Sequence, residues 1–260
     1  MALGGLRREI EEQIAQQCRE IVDLKRQLNT LLLIARLPPE LLAEVFMAYA
    51  ELSTSEYVDY GTTVPPYISR FRITHVRHHW REVALQTPRL WAEVVMAKLP
   101  CVKEMLARSK EAPLSVSGSM EDSREGSEMF GSIVGEMHRA KDLNLNVQRR
   151  LLRPFHRSEP TQVPLLRSLK LSALYTRGSP SSEPLPFIST LIPTQLRELD
   201  VTGYPLDCFR ILVLPSLTRL SWSGHSTKST VSAVLALLLH TPLLRSLAIY
   251  DSSMISGEDV

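Results

Sequence analysis

The sequence is poor in the features that mark secreted, membrane-bound or catalytic chains. Of its 260 residues only three are cysteine, Cys18, Cys101 and Cys208. They are far apart and odd in number, so they suggest neither a disulfide framework nor a zinc-ligand spacing. Free thiols in a reducing compartment, cytoplasmic or nuclear, are expected. No run approaches the roughly 18 consecutive apolar residues of a membrane helix. Residues 1–23 carry charges throughout and contain no apolar block ending in a small-residue cleavage site, so no secretory signal is expected. Charge of one sign is also scarce. Thirty basic against 28 acidic residues leave a formal net charge of +2, which points to neither nucleic acid nor a membrane as partner. There is no phosphate-binding glycine loop, no Gly-x-Ser-x-Gly elbow and no paired-cysteine metal motif. The expectation is a non-enzymatic protein without cofactor or metal.

What the chain does have is periodicity, and it changes along the length. In residues 1–36 apolar residues alternate at steps of three and four. Ile14, Ile21, Leu28 and Ala35 fall in one heptad position, and Leu3, Ile10, Leu24 and Leu31 in the other; Arg7 and Gln17 interrupt the pattern. Such spacing draws one narrow apolar stripe along a helix, and Ile at one position with Leu at the other is the pattern of parallel dimeric coiled coils. Two readings stand: a homodimer through residues 1–36, or an amphipathic helix packed on its own protein.

Leu37-Pro38-Pro39-Glu40-Leu41-Leu42 reads as a helix start, because proline at the first helical position sets φ and removes no needed hydrogen bond. Leu41, Leu42, Val45 and Phe46 follow along one face. A second helix is expected over about Ile73 to Leu85, with Ile73, Val76, Trp80 and Ala84 as its apolar face. Thr87-Pro88 stops it before Leu90-Trp91. Between the helices Glu51 to Arg70, polar and holding Pro65-Pro66, reads as a loop.

This ordered set, from Leu37 to Val95, resembles an F-box, and more narrowly the F-box-like proteins of mushroom-forming fungi. In those a coiled-coil-like helix precedes the motif and a leucine-rich array follows it. The resemblance implies a Skp-family adaptor of cullin–RING ubiquitin ligases as partner, with Leu37, Pro38, Pro39, Leu41, Leu42 and Val45 as the docking set. It implies Phe46, Ile73, Val76, Trp80, Leu90 and Trp91 as the module's core. The chain departs from the family in the run Val76-Arg77-His78-His79-Trp80, where many members have cysteine, and in the length of the 51–70 stretch.

From Pro113 onward the period becomes two. Leu166-x-x-Leu169-x-Leu171 recurs as Leu196-x-x-Leu199-x-Val201, Leu217-x-x-Leu220-x-Trp222 and Leu244-x-x-Leu247-x-Ile249. Leu143-x-Leu145 is a weaker copy, and Leu114-x-Val116 is a candidate start of the series. The copies lie roughly 20–30 residues apart, as in leucine-rich repeats. Each reads as a short strand with one apolar face. Between them Phe130, Ile133, Val134 and Met137, then Phe187, Ile188, Leu191 and Ile192, then Val231, Val234, Leu235 and Leu238, lie at helical spacing. Pro164, Pro193, Pro215 and Pro242 precede strands at similar places. A strand and a helix cannot bury an apolar face alone, so the units must stack. The asparagine usual after the strand is missing, and the chain stops soon after a strand without a polar cap; a partner over that edge or a shortened array is expected.

The expected fold is therefore an α/β solenoid with an α+β character. Its parts are an amphipathic helix (1–36), an F-box-like helical domain (37–96), a connecting helix (97–112) and an incomplete leucine-rich-repeat-like curved parallel sheet (113–260). The expected function is substrate recognition within an SCF-type ligase, with a protein substrate of unknown identity on outward strand positions; Lys170, Arg197, Asp200, Arg219 and Arg245 are the leading candidates. The alternative is a protein-interaction scaffold that keeps the fold but joins no ligase. Glu121–Ser132 and Thr176–Pro186 read as loops. His75, His79 and Glu82 sit at helical steps that could hold a metal, though a solvated face is the preferred reading. Arg149, Arg150, Arg153, His156 and Arg157 form a local basic cluster, read as a solvated loop.

Overall fold

The structure is a computed structural model that describes residues 2–55, 67–152, 161–173, 191–204, 209, 214–224 and 231–250. It is a mixed helix and strand protein built on a seven-stranded parallel sheet.

The first helix, α1 (Ala2–Thr30), is long and exposed from Gly4 to Leu28. It is rich in Glu, Gln, Arg and Leu, which lose little side-chain freedom in a helix. Pairs at i,i+4 such as Arg7–Glu11 (2.9 Å) and Arg8–Glu12 (3.1 Å) add a few tenths of a kcal/mol each. A short 3-10 turn, Leu33–Arg36, leads into α2 (Pro39–Ser55), whose proline start is the one expected. Three short helices follow: α3 (Tyr67–Ile73), α4 (His78–Leu85) and α5 (Pro88–Trp91).

The helix expected over Ile73 to Leu85 is thus broken. Thr74 Oγ1 donates to the Phe71 carbonyl at 2.7 Å, Thr74, His75 and Val76 bond back three residues, and Arg77 is extended. A threonine hydroxyl that competes for helical carbonyls ends the turn. Val76 lands in this turn, 57% exposed, and is not core. His75 also precedes α4, so the expected helical face shared with His79 and Glu82 does not form; among the described residues no group of His, Cys, Asp and Glu could hold a metal ion. The 51–70 stretch is helical at both ends, in α2 and α3, and residues 56–66 lie outside the described residues.

The sheet runs β1 (Glu93–Val95), β2 (Leu114–Met120), β3 (Ala140–Val147), β5 (Ser168–Ala173), β7 (Glu198–Thr202), β8 (Arg219–Ser223) and β9 (Ser246–Tyr250), in that spatial order. Two short strands, β4 (Thr161–Gln162) and β6 (Leu191–Ile192), pair with each other. Leu191 and Ile192 are therefore strand and not helix, while Phe187 and Ile188 lie outside the described residues. The leucine recurrence sets the register. Leu143, Leu169, Leu199, Leu220 and Leu247 are successive partners, and so are Leu145, Leu171, Val201, Trp222 and Ile249. In the first copy it is Val116, and not Leu114, that aligns with the leucine row.

The proline before β5, β8 and β9 has a mechanical role. Leu166, Leu217 and Leu244 each donate their N–H to the carbonyl three residues back, Val163, Leu214 and Thr241, at 3.2 Å. Pro164, Pro215 and Pro242 occupy the second position of these turns, where their fixed φ fits. Each turn drives a leucine toward the core and leaves the next residue at the start of a strand. Behind the sheet lie α6 (Leu99–Ser109), α7 (Arg124–Gly135), α8 (Arg149–Leu152) and α9 (Val231–Leu239). The expected loop at 121–132 is mostly α7. Ser123 caps it by accepting from Gly126 N–H at 3.0 Å, and a Cβ on Gly126 would lie 2.2 Å from the Glu121 carbonyl oxygen.

One hydrophobic cluster runs from Leu42 in α2 to Leu237 in α9, so the helices and the sheet share a core. β1 lies inside the segment read as helical and is the first strand of the sheet. Arg70 ties α3 to that strand. Its buried guanidinium pairs with the Glu93 carboxylate and donates to the Glu93 carbonyl at 2.8 Å. Desolvation by burial pulls its pKa from the ordinary guanidinium range down to about 10. The folded value lies below the unfolded one, so burying the cation costs stability at every pH below about 10, and that cost is relieved as pH rises above that value. Glu93 is half exposed and can rehydrate; Arg70 cannot. Glu93→Ala is therefore expected to destabilise by about 3 kcal/mol, and Arg70→Met by about 1 kcal/mol, in urea unfolding at pH 7.

Candidate functional site

The surface that stands out is α2, because it is apolar on two adjacent faces, only one of which is buried. Leu42, Phe46 and Ala50 recur every four residues and are buried against the short helices. Leu41 (55% exposed), Val45, Tyr49 and Leu52 recur at steps of four, four and three and face solvent. A surface helix normally carries polar residues on the face away from its core. Before α2 the chain adds Leu31, Leu32, Leu33 and Ile34, all exposed. A run of large exposed apolar side chains marks an interaction surface.

The residues expected to dock an adaptor therefore divide. Leu41 and Val45 lie on the open stripe, Pro38 and Pro39 are exposed at its head, and Leu37 is half-buried. Leu42 is fully buried and is removed from the docking set. Of the expected core, Phe46, Ile73, Leu90 and Trp91 are buried, and Trp80 is partly buried with its ring 5.2 Å from Phe46. Trp91 Nε1 donates to the Ala84 carbonyl at 2.8 Å, which fixes α5 against α4. Leu33, Ile34, Tyr49 and Leu52 were missed, although the four-residue step from Leu41 through Val45 pointed on to Tyr49. Arg89 and Glu44, 3.8 Å apart, are exposed on α5 and α2.

The second surface is the polar face of the sheet. Between the apolar rows run two others. One is Ser115, Asp142, Ser168, Glu198, Arg219, Ser246; the next is Ser117, Asn144, Lys170, Asp200, Ser221, Ala248. Parallel sheets are usually covered on both faces, so alternation of this kind leaves one face wet. Lys170 and Asp200 are neighbours across strands, and Arg219 pairs with Glu198. Arg197 and Arg245 lie one residue before their strands, at the edge where the sheet begins.

Cys101 is half-buried and Cys18 exposed. Of the basic cluster, Arg149 and Arg150 open α8, while residues 153–157 lie outside the described residues, as do Cys208 and 176–186. Among the described residues no helix is long and apolar enough to cross a membrane. Comparison of the chain with protein-family models, curated proteins and solved structures finds no match.

Proposed function

We propose that the chain is the substrate-recognition subunit of an SCF-type cullin–RING ubiquitin ligase, in which α2 docks a Skp-family adaptor and the sheet holds a protein substrate. The observation that carries this is the second apolar face of α2: Leu41, Val45, Tyr49 and Leu52 are exposed beside a complete buried face. An exposed helical stripe is what a helix-binding partner covers. The in-order parallel sheet with leucine rows and one polar face supports the reading of residues 113–260 as a degenerate leucine-rich array. Catalysis would come from proximity alone, with the substrate held beside a partner's chemistry. Capture of the full chain by purified Skp-family adaptor tests this. Failure of the folded wild type to bind replaces it with the alternative, an interaction scaffold outside any ligase.

A second part of the reading concerns α1. Its stripe of Ile10, Ile14, Ile21, Leu24 and Leu28, continued by Leu31 just past its end, is exposed throughout. Long helices in proteins take most of their stability from packing such a stripe. We infer that a second copy covers it in a parallel coiled coil, where Glu20 would face Lys25 of the other chain across the seam. Sedimentation equilibrium is expected to give a dimer, and Ile14→Glu with Ile21→Glu a monomer with unchanged core stability. A wild-type monomer at about 100 μM would refute it.

A further inference from the structure

The edge where the strands begin carries a row that no local spacing announces. Arg167 N–H bonds to the Lys141 carbonyl and Arg197 N–H to that of Arg167, both at 2.8 Å. Thr218 N–H bonds to the Arg197 carbonyl and Arg245 N–H to that of Thr218, both at 2.9 Å. Five successive rungs therefore hold four basic residues, with neighbouring rungs about 4.8 Å apart. Arg167, Arg197 and Arg245 are exposed, and none has an ion-pair partner among the described residues. Lys141 Nζ lies 3.5 Å from Asp142, a carboxylate that also accepts from Ser115 Oγ at 2.9 Å. Stacked like charges repel, and an anion laid along the row would relieve that.

The row also has walls. A hollow of about 510 Å³ lies beside Lys141 and Arg167, with Met47, Ala112 and Leu165 as its apolar side. A second, of about 770 Å³, lies beside Arg197, Thr218 and Arg245, with Leu243 at its side. Arg167 and Arg197 are adjacent rungs, so the two hollows follow one another along the edge.

We propose that this edge binds an extended acidic segment of a partner protein. The inference deepens the reading of the array as substrate-binding, and rests on it only in taking the partner to be a protein. Five rungs span about 19 Å, the length of roughly six extended residues. Nucleic acid fits less well. Single strands need aromatic platforms, and neither hollow has an aromatic side chain in its lining.

The test is fluorescence anisotropy of the full chain with a labelled peptide of about eight Asp and Glu residues. An equal-length Lys peptide and a thymidine oligonucleotide serve as comparators. The acidic peptide is expected to bind best, and more weakly as salt rises. Arg197→Glu with Arg245→Glu is expected to weaken it at least about tenfold. Arg72→Glu with Arg81→Glu, the same charge change on exposed sites of α3 and α4, is expected to change it less than about twofold. Should the charge-reversed pair fold poorly by circular dichroism, Arg197→Gln with Arg245→Gln replaces it, with an expected loss of about fivefold. No binding by the wild type, equal loss from both reversals, or tighter binding of the oligonucleotide would overturn the proposal. Adaptor capture on the same variants separates the two sites: it is expected to survive reversal at Arg197 and Arg245, while Leu41→Arg is expected to leave peptide binding intact.

Discussion

Leu41→Arg with Val45→Arg is expected to abolish capture by a Skp-family adaptor while leaving the protein folded. Both side chains lie about half in solvent, so the guanidinium groups stay hydrated in the free chain. Stability should move by no more than about 0.5 kcal/mol, as for ordinary surface substitutions. In the complex the same groups would be desolvated against an apolar surface without a partner, which costs several kcal/mol. A loss of more than about 100-fold in affinity follows, since each 1.4 kcal/mol is tenfold. The comparison that gives this its force is Leu42→Arg. That position is fully buried, one residue away, and the charge enters the core. Circular dichroism should show this variant unfolded. If the Leu41 and Val45 pair binds as well as wild type, the outer face of α2 is not the docking surface. If instead Leu42→Arg folds normally, the packing of α2 described above is wrong.

The second large effect is on stability. Trp91→Ala is expected to reduce the free energy of unfolding by about 3–5 kcal/mol, in the range for large aromatic truncations in a core. Trp91 is fully buried where the helices meet the sheet. Its ring takes an edge contact from Phe71 at 5.4 Å and the Arg108 guanidinium at 4.4 Å from its centroid, and its N–H holds the Ala84 carbonyl. A domain is typically stable by about 5–15 kcal/mol, so the loss is a large share of the whole. Trp91→Phe keeps most of the packing and loses the hydrogen bond, and about 1–2 kcal/mol is expected. Because helices and sheet share one core, both should unfold in one transition, read by far-UV circular dichroism and by tryptophan fluorescence. Two separated transitions would show that the sheet stands without the helices.

Much of this architecture was legible in the order of residues. The strands β3, β5, β7, β8 and β9 were, because alternation at period two is local and the leucine at the centre of each copy must land in the same row as its neighbours; β1, β4 and β6 were not. The proline-led start of α2 was legible for the same reason: a fixed φ acts where it stands. The turn at 74–77 was not. Val76 continues an apolar helical period on paper, but the chain turns over Thr74–Val76, where the Thr74 hydroxyl takes the Phe71 carbonyl and Val76 faces solvent. Nor could the sequence separate Leu41 from Leu42. The two have the same chemistry, and what buries one is the rotation of α2 against α4 and α5, a contact between segments tens of residues apart.

What the sequence by itself determined is the alternation of apolar and polar positions, the proline turns that start the repeats and the apolar richness of α2, all consequences of near-neighbour sterics and side-chain chemistry. What only the tertiary structure decided is which side chains share a surface. The open stripe on α2 exists because one of its two apolar faces found a core and the other did not. The basic row exists because strands far apart in sequence stack at a common register and bring Lys141, Arg167, Arg197 and Arg245 to one edge, where their charges act together. Burial and electrostatic potential are sums over neighbours in space, and those neighbours are set by the packing of the whole chain.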